Sequence, residues 1–301
     1  MGTPEFAVPS LDALVQNGYN VVGVITSPDR KSGRGQKVST SAVKNYALGK
    51  GITILQPEKF KNDSFLDELR SLKADLQVVV AFRMLPEVVW AMPTLGTINL
   101  HGSLLPDYRG AAPINWSVIN GDKFTGVSTF FIEKEIDTGN IIKQTKIEIG
   151  ENETAGQLHD RMMMIGAQTL LETVDLIKEG KAEGINQDNF KESAKRKAPK
   201  IFKKDCEINW NLTAQTIHDF VRGLSPYPAS WARIDDKTFK ILKGIPTSTH
   251  SVNPGGIITD NKTFLHIGTS DFNYEIHELQ MQGKKRMPVA DFLRGYNFNQ
   301  K

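Results

Sequence analysis

Apolar residues in the first half of the chain come in short unbroken runs, each followed by a stretch with helical spacing. The runs at 21–25 (Val21, Val22, Val24 and Ile25 around Gly23) and at 76–82 read as strands buried on both faces. Residues 96–100, 125–132 and 141–149 follow the same strand-like pattern. Between them, 64–72 sets Phe65, Leu66, Leu69 and Leu72 on one helical face, and 86–92 and 113–119 predict further short helices. Thr154 and Gln157 have capping-box spacing and predict a long helix running to Lys178. Strands alternating with helices predict βαβ units and a mainly parallel α/β sheet.

The rhythm then changes. A helix is predicted over 213–224, with Ile217, Phe220, Val221 and Leu224 on one face and Pro226 beyond its end. Short strand-like runs recur at 230–234, 238–242, 256–259, 263–267 and 275–281, separated by Gly, Asn, Asp and Pro. That spacing predicts a small β-barrel or sandwich. The resulting division is a first domain over 1–186, a linker over 187–206 and a second domain over 207–301.

Composition narrows the class without naming a function. With 301 residues, 39% hydrophobic and 24% charged, the chain can bury a normal core, which excludes fibrous, coiled-coil and disordered acidic classes. No apolar run approaches the ~20 residues of a membrane span. The single cysteine, Cys206, cannot form an internal disulfide. With no secretion signal visible, the expectation is a cytoplasmic protein with no membrane partner. Nothing demands an oligomer, so a monomer is expected.

Charge changes the picture more. The net charge is only +3, yet residues 191–301 carry 18 Lys/Arg against 11 Asp/Glu. The excess starts abruptly in 191–204, where seven positive side chains face one negative: Lys191, Lys195, Arg196, Lys197, Lys200, Lys203 and Lys204 against Glu192. A second cluster is Lys284, Lys285 and Arg286. A solvated linker and a polyanion footprint both fit such a run; its place at a domain boundary before a net basic domain favours nucleic acid.

The densest motif is Asn99-Leu-His101-Gly-Ser103-Leu104-Leu105-Pro106-Asp-Tyr-Arg109-Gly110-Ala-Ala-Pro113. It begins at the carboxyl end of a predicted parallel strand, where open α/β sheets bind ligands. Asn99 and His101 are two apart and face one way, offering an amide and an imidazole to one reacting carbonyl. A second strand, from Gly126, delivers Asp137-Thr-Gly139, a carboxylate that can orient an imidazole. The other five histidines show no metal-ligand spacing, so no metal is expected. Arg30, Lys31, Arg34 and Lys37 make a basic loop broken by Gly33 and Gly35, far short of a dinucleotide fingerprint.

On these motifs, with Gly2-Thr-Pro-Glu-Phe6 at the start and Trp210 and Pro226-Tyr-Pro-x-Ser-Trp231 near the end, the chain resembles the folate-dependent formyltransferases over nearly its whole length. The resemblance implies a Rossmann-like first domain followed by a small OB-like β-barrel. It implies 10-formyltetrahydrofolate as co-substrate, contacted by Ser103, Leu104, Leu105 and Pro106. Asn99, His101 and Asp137 become the catalytic residues. The acceptor it implies is methionine on initiator tRNA, in support of translation initiation. Arg30, Arg34 and Lys37 would meet the acceptor end, and Lys195, Arg196, Lys197, Lys200, Lys203 and Lys204 the phosphates.

Two departures from the family pattern carry expectations. Relatives place an apolar strand ahead of the Gly-Thr-Pro-Glu-Phe loop, whereas this sequence starts at Met1-Gly2. The missing strand is expected to expose residues 21–25 and their neighbours, and an earlier start codon would lengthen the natural chain by several residues. The loop over 82–86 also differs from many relatives, where it borders the pterin. Rival readings are a formyltransferase acting on a small amine, a formyltetrahydrofolate hydrolase or dehydrogenase module, and a catalytically dead tRNA binder.

Overall fold

The computed structural model describes residues 1–32, 37–190, 193–250 and 253–298. They form two compact units. One comprises residues 1–110, 126–147 and 159–197; the other comprises 111–125, 148–158 and 198–301.

The first unit is built on a sheet whose central strand is Thr97–His101. It pairs in parallel with Gln77–Val80 and antiparallel with Phe124–Phe131, and Ile141–Glu148 completes that side. Val24–Ile25 and Ile54–Leu55 form a separate parallel pair. Met1 and Gly2 bridge the two groups: Gly2 N donates to Ile25 O at 3.0 Å, and Val80 N donates to Met1 O at 2.9 Å. Helix Asp63–Ser71 seals this side by burying Phe65, Leu66 and Leu69 with Ile25, Leu55 and Val79. The capping box, which falls in residues 148–158 of the other unit, holds: Thr154 N donates to Gln157 Oε1 at 3.0 Å, and Gln157 N returns to Thr154 Oγ1 at 3.2 Å. The helix it opens spans Ala155–Lys178.

Two expectations need correcting here. The strand over 21–25 shrinks to Val24–Ile25, and these two are buried, only 4% and 3% exposed, instead of laid open. Met1 and Gly2 supply the missing neighbour at that point. Residues 21–23 and 76–78 instead border a cavity of about 580 Å³, also lined by Leu11, Leu14, Leu72 and Ile177. The helices Val8–Gln16 and Ala42–Lys50 and the strand pair Arg30–Ser32 with Lys37–Ser39 were not predicted. Ala42–Lys50 escapes the pattern because it buries only Val43 and Ala47, too few apolar positions to make a stripe.

The second unit is antiparallel. Its strands run in the order Ser230–Ile234, Lys237–His250, Phe272–Met281, Leu265–Gly268, Ile257–Thr259, with Met287–Pro288 added beside Phe272–Met281. Register shifts after Ile241 and Pro246 bend the long second strand. Helix Ala214–Leu224 drives Ile217 and Val221 into a core of Phe239, Ile241, Leu265, Tyr274 and Leu279. Its polar side is buried as well: Arg222 Nε donates to Asp219 Oδ1 at 2.7 Å, and Arg222 Nη1 to Glu153 O at 3.1 Å.

Candidate active site

The central strand positions Asn99 and His101. Val79 and Phe130 flank Asn99 across the ladder, and Ser128 stands opposite His101. Of the five residues in Thr97–His101, Asn99 alone is not buried. Its side-chain amide has no hydrogen-bond partner among the described residues, so its N–H groups are available to an incoming oxygen.

His101 is 6% exposed and gripped from two sides. Its Nε2 lies 2.8 Å from Tyr108 O. A carbonyl only accepts, so Nε2 carries the hydrogen. Nδ1 faces Asp137 Oδ2 at 3.8 Å, an ion-pair separation beyond direct hydrogen bonding. A ring protonated on both nitrogens serves both acceptors; a neutral ring leaves its Nδ1 lone pair facing the carboxylate.

Asp137 sits at φ +56°, in the left-handed region, and its Oδ2 accepts Gly110 N at 2.9 Å. The glycine two places on is a packing requirement: a Cβ at Gly139 would fall 1.7 Å from Phe131 O. The Asp-x-Gly spacing thus follows from how tightly the loop passes the end of strand Phe124–Phe131.

The loop after His101 is fixed from beneath. Ser103 Oγ donates to Asp107 O at 2.6 Å, Ser128 Oγ to Ser103 O at 2.6 Å, and Leu105 N to Ser128 Oγ at 3.0 Å. Gln144 Nε2 donates to Leu105 O at 2.9 Å. Gly126 leaves room for Leu104, whose Cδ2 would stand 2.5 Å from an added Cβ. Ser103, Leu105 and Pro106 are buried and Leu104 is half-buried.

A model of the formyl transferase family matches residues 1–174, and a model of the formyl transferase C-terminal domain matches residues 200–297. The chain belongs to the formyl transferase family. It is 54% identical to a methionyl-tRNA formyltransferase of Parabacteroides distasonis, over 98% of this chain and 94% of that one. It is 50% identical to the methionyl-tRNA formyltransferase of Bacteroides fragilis, over 100% and 95%. The crystal structure of WlaRD, a sugar 3N-formyl transferase, in the presence of dTDP and 5-N-formyl-THF superposes with a TM-score of 0.69 at 22% identity, covering 94% of this chain and 97% of that one. HypX from Aquifex aeolicus in complex with tetrahydrofolic acid gives 0.60 at 17% identity, covering 84% and 45%. These two likenesses establish the shared formyl transferase fold.

Within this formyl transferase, Asn99, His101 and Asp137 come together at one end of the central strand. Of the basic residues, Arg196 lies beside the site: its backbone N–H donates to Asp107 Oδ1 at 3.0 Å and its carbonyl accepts Tyr108 N at 2.6 Å. Arg30 is exposed on strand Arg30–Ser32, Lys37 opens strand Lys37–Ser39, and Arg34 lies outside the described residues. Lys197, Lys200, Lys203 and Lys204 are exposed. Lys195 Nζ pairs with Asp188 at 3.1 Å, and the Arg196 guanidinium stacks 4.6 Å from the Tyr108 ring centroid. Among the described residues, no group of three or more His, Cys, Asp or Glu could hold a metal ion, and no helix is long and apolar enough to cross a membrane.

Sequence reasoning missed the groups that hold His101 and Asp137. Tyr108 and Gly110 act through their backbones, which no side-chain pattern announces. Ser128 and Gln144 read only as polar positions in strands.

Proposed function

We propose that the chain transfers the formyl group of 10-formyltetrahydrofolate to the α-amino group of methionine carried by initiator tRNA. The observation that carries the reading is near-full-length identity of about half to methionyl-tRNA formyltransferases. The site supports it with an unpartnered amide beside an imidazole paired to a carboxylate.

Asn99 donates to the formyl oxygen as it becomes an oxyanion, an interaction typically worth ~2.7–4 kcal/mol when preorganised. The methionine amine bonds to the formyl carbon, the bond from that carbon to N10 breaks, and one proton passes from the amine to N10. His101 carries that proton and helps balance the oxyanion; Asp137 holds the ring and its charge. Leu104 and the backbone of 103–106 face the folate. Lys197, Lys200, Lys203 and Lys204, together with Arg30, Arg34, Lys37, Lys195 and Arg196, meet tRNA phosphates.

The test is formyl transfer offered two acceptors, methionyl initiator tRNA and a dTDP-amino sugar. Turnover of the tRNA alone supports the reading; turnover of the sugar alone replaces it with a small-amine enzyme. The charge component has its own measurement. The triple variant Lys197→Glu, Lys200→Glu and Lys203→Glu is expected to raise KM for tRNA at least tenfold near 0.1 M salt, leaving kcat within twofold. It should also flatten the salt dependence by about two to three logarithmic units per decade. Unchanged salt dependence would remove this segment from the tRNA interface.

A further inference from the structure

Gln187 lies fifty residues beyond Asp137 and is 2% exposed, in the short turn Gln187–Asn189. Ile185 ties that turn to the first unit through a two-way backbone pair with Ile141, at 2.9 and 2.8 Å. The Gln187 amide uses its full hydrogen-bonding capacity. Its Nε2 donates to Asp137 O and to Gly139 O, both at 2.9 Å. Its Oε1 accepts from Arg109 Nε at 2.9 Å and from Arg109 Nη2 at 2.6 Å. Because carbonyls only accept and a guanidinium only donates, this is the sole orientation the amide can take.

The two things it joins are the two grips on the triad. Asp137 and Gly139 bracket the loop turn that presents the carboxylate, with Asp137 held at φ +56°. Arg109 sits between Tyr108, whose carbonyl binds His101, and Gly110, whose N–H binds Asp137. We infer that Gln187 is a positioning residue for the transfer reaction: it locks the 137–139 loop to the 108–110 segment and so fixes the distance between His101 and Asp137. The inference rests on the catalytic roles proposed above for those two residues.

Three substitutions separate this role from simple support of the fold. Gln187→Leu keeps the bulk and removes every bond. Gln187→Glu keeps the Arg109 contact but turns an oxygen on the Asp137 and Gly139 carbonyls. Gln187→Asn keeps the chemistry one methylene short. Single-turnover formyl transfer to methionyl initiator tRNA is expected to slow ~10²-fold in Gln187→Leu and Gln187→Glu, as for about 1 Å of misplacement. Gln187→Asn should recover part of the loss, and KM for tRNA should stay within twofold.

In an Asp137→Ala background the same Gln187→Leu change should cost less than threefold, because the group it positions is gone. Equal losses in both backgrounds would overturn the inference. A second readout needs no turnover: the imidazole nitrogen NMR signals of His101 should move in Gln187→Leu and in Asp137→Ala alike. His101 signals unmoved by Gln187→Leu, in a variant that retains its Tm, would also overturn it. Wild-type protein that forms the His101–Asp137 pair by NMR yet transfers no formyl group would count against the proposed function and leave the positioning role standing.

Discussion

His101→Ala is expected to abolish formyl transfer to within about 10³–10⁴-fold of the wild-type rate while leaving the fold intact. The variant removes the group that moves the proton, worth typically ~10²–10⁴-fold, and leaves Asp137 as an uncompensated carboxylate beside the reacting centre. Asn99→Ala should cost ~10²–10³-fold through kcat, because its amide is free in the resting site and engages only the oxyanion. Asp137→Asn keeps the shape but withdraws the charge that faces Nδ1 at 3.8 Å, and its loss should lie between the two. The double variant Asn99→Ala/His101→Ala should lose less than the sum of the single losses, since both act on one tetrahedral centre. Single-turnover rates with each variant, with Tm measured alongside, make the check. A His101→Ala protein that transfers at a tenth of the wild-type rate would exclude His101 from proton transfer.

The second large effect concerns stability. An extension of five or six β-prone apolar residues ahead of Met1 is expected to raise Tm by about 10 °C. The cavity of about 580 Å³ lies between residues 21–23 and 76–78, in line with the place that Met1 and Gly2 take between Ile25 and Val80. Added strand residues would continue that line and bury side chains against Leu11, Leu14, Leu72 and Ile177. Burial of three or four Val or Ile side chains, ~1.5–3 kcal/mol each, roughly offsets the ~1–2 kcal/mol per residue for ordering the backbone, so the net gain comes from the added ladder hydrogen bonds at ~0.5–1.5 kcal/mol each. A few kcal/mol remain, and each shifts Tm by ~2–4 °C in a unit of this size.

Where Met1 is the first residue, its free amine adds a pH signature. It donates to Val78 O at 2.5 Å, and burial pushes its pKa down to about 5 from 8.0. The folded value lies below the unfolded one, so between pH 5 and 8 the unfolded chain binds the extra proton. The contribution of this amine to stability therefore rises with pH across that window, by on the order of a few kcal/mol. An extension turns the amine into an amide and removes the slope. A Gly/Ser extension of equal length should flatten the pH dependence without filling the cavity, so its gain in Tm near pH 8 should be small. Equal Tm gains from the apolar and Gly/Ser extensions would show that the cavity is not a strand slot.

Much of the fold was legible because burial imposes a period. The strand over 96–100 is found at Thr97–His101, the helix over 213–224 at Ala214–Leu224, and the strand over 230–234 at Ser230–Ile234. Elements with few apolar positions, such as Ala42–Lys50, left no such trace. The run at 21–25 carried a clear strand pattern and still formed only Val24–Ile25, because a strand needs a hydrogen-bonding neighbour as well as apolar side chains. The chemistry-bearing residues were legible for a different reason. Asn99 and His101 share one strand face by the two-residue repeat, and Asp137 precedes a glycine that the loop requires.

The sequence by itself determined the alternation of strand and helix, the antiparallel character of the second unit, the identities of Asn99, His101 and Asp137, and the basic run at 191–204. All of these are local, set by side-chain period, turn residues and charge. Only the tertiary structure decided that Asp137 faces His101, that the Tyr108 carbonyl and the Gly110 N–H grip the pair, and that Gln187 closes the set from fifty residues away. Those contacts run through backbone groups and one amide whose partners are brought close by the sheet. Their identity is fixed by distance in space, and no spacing along the chain encodes it.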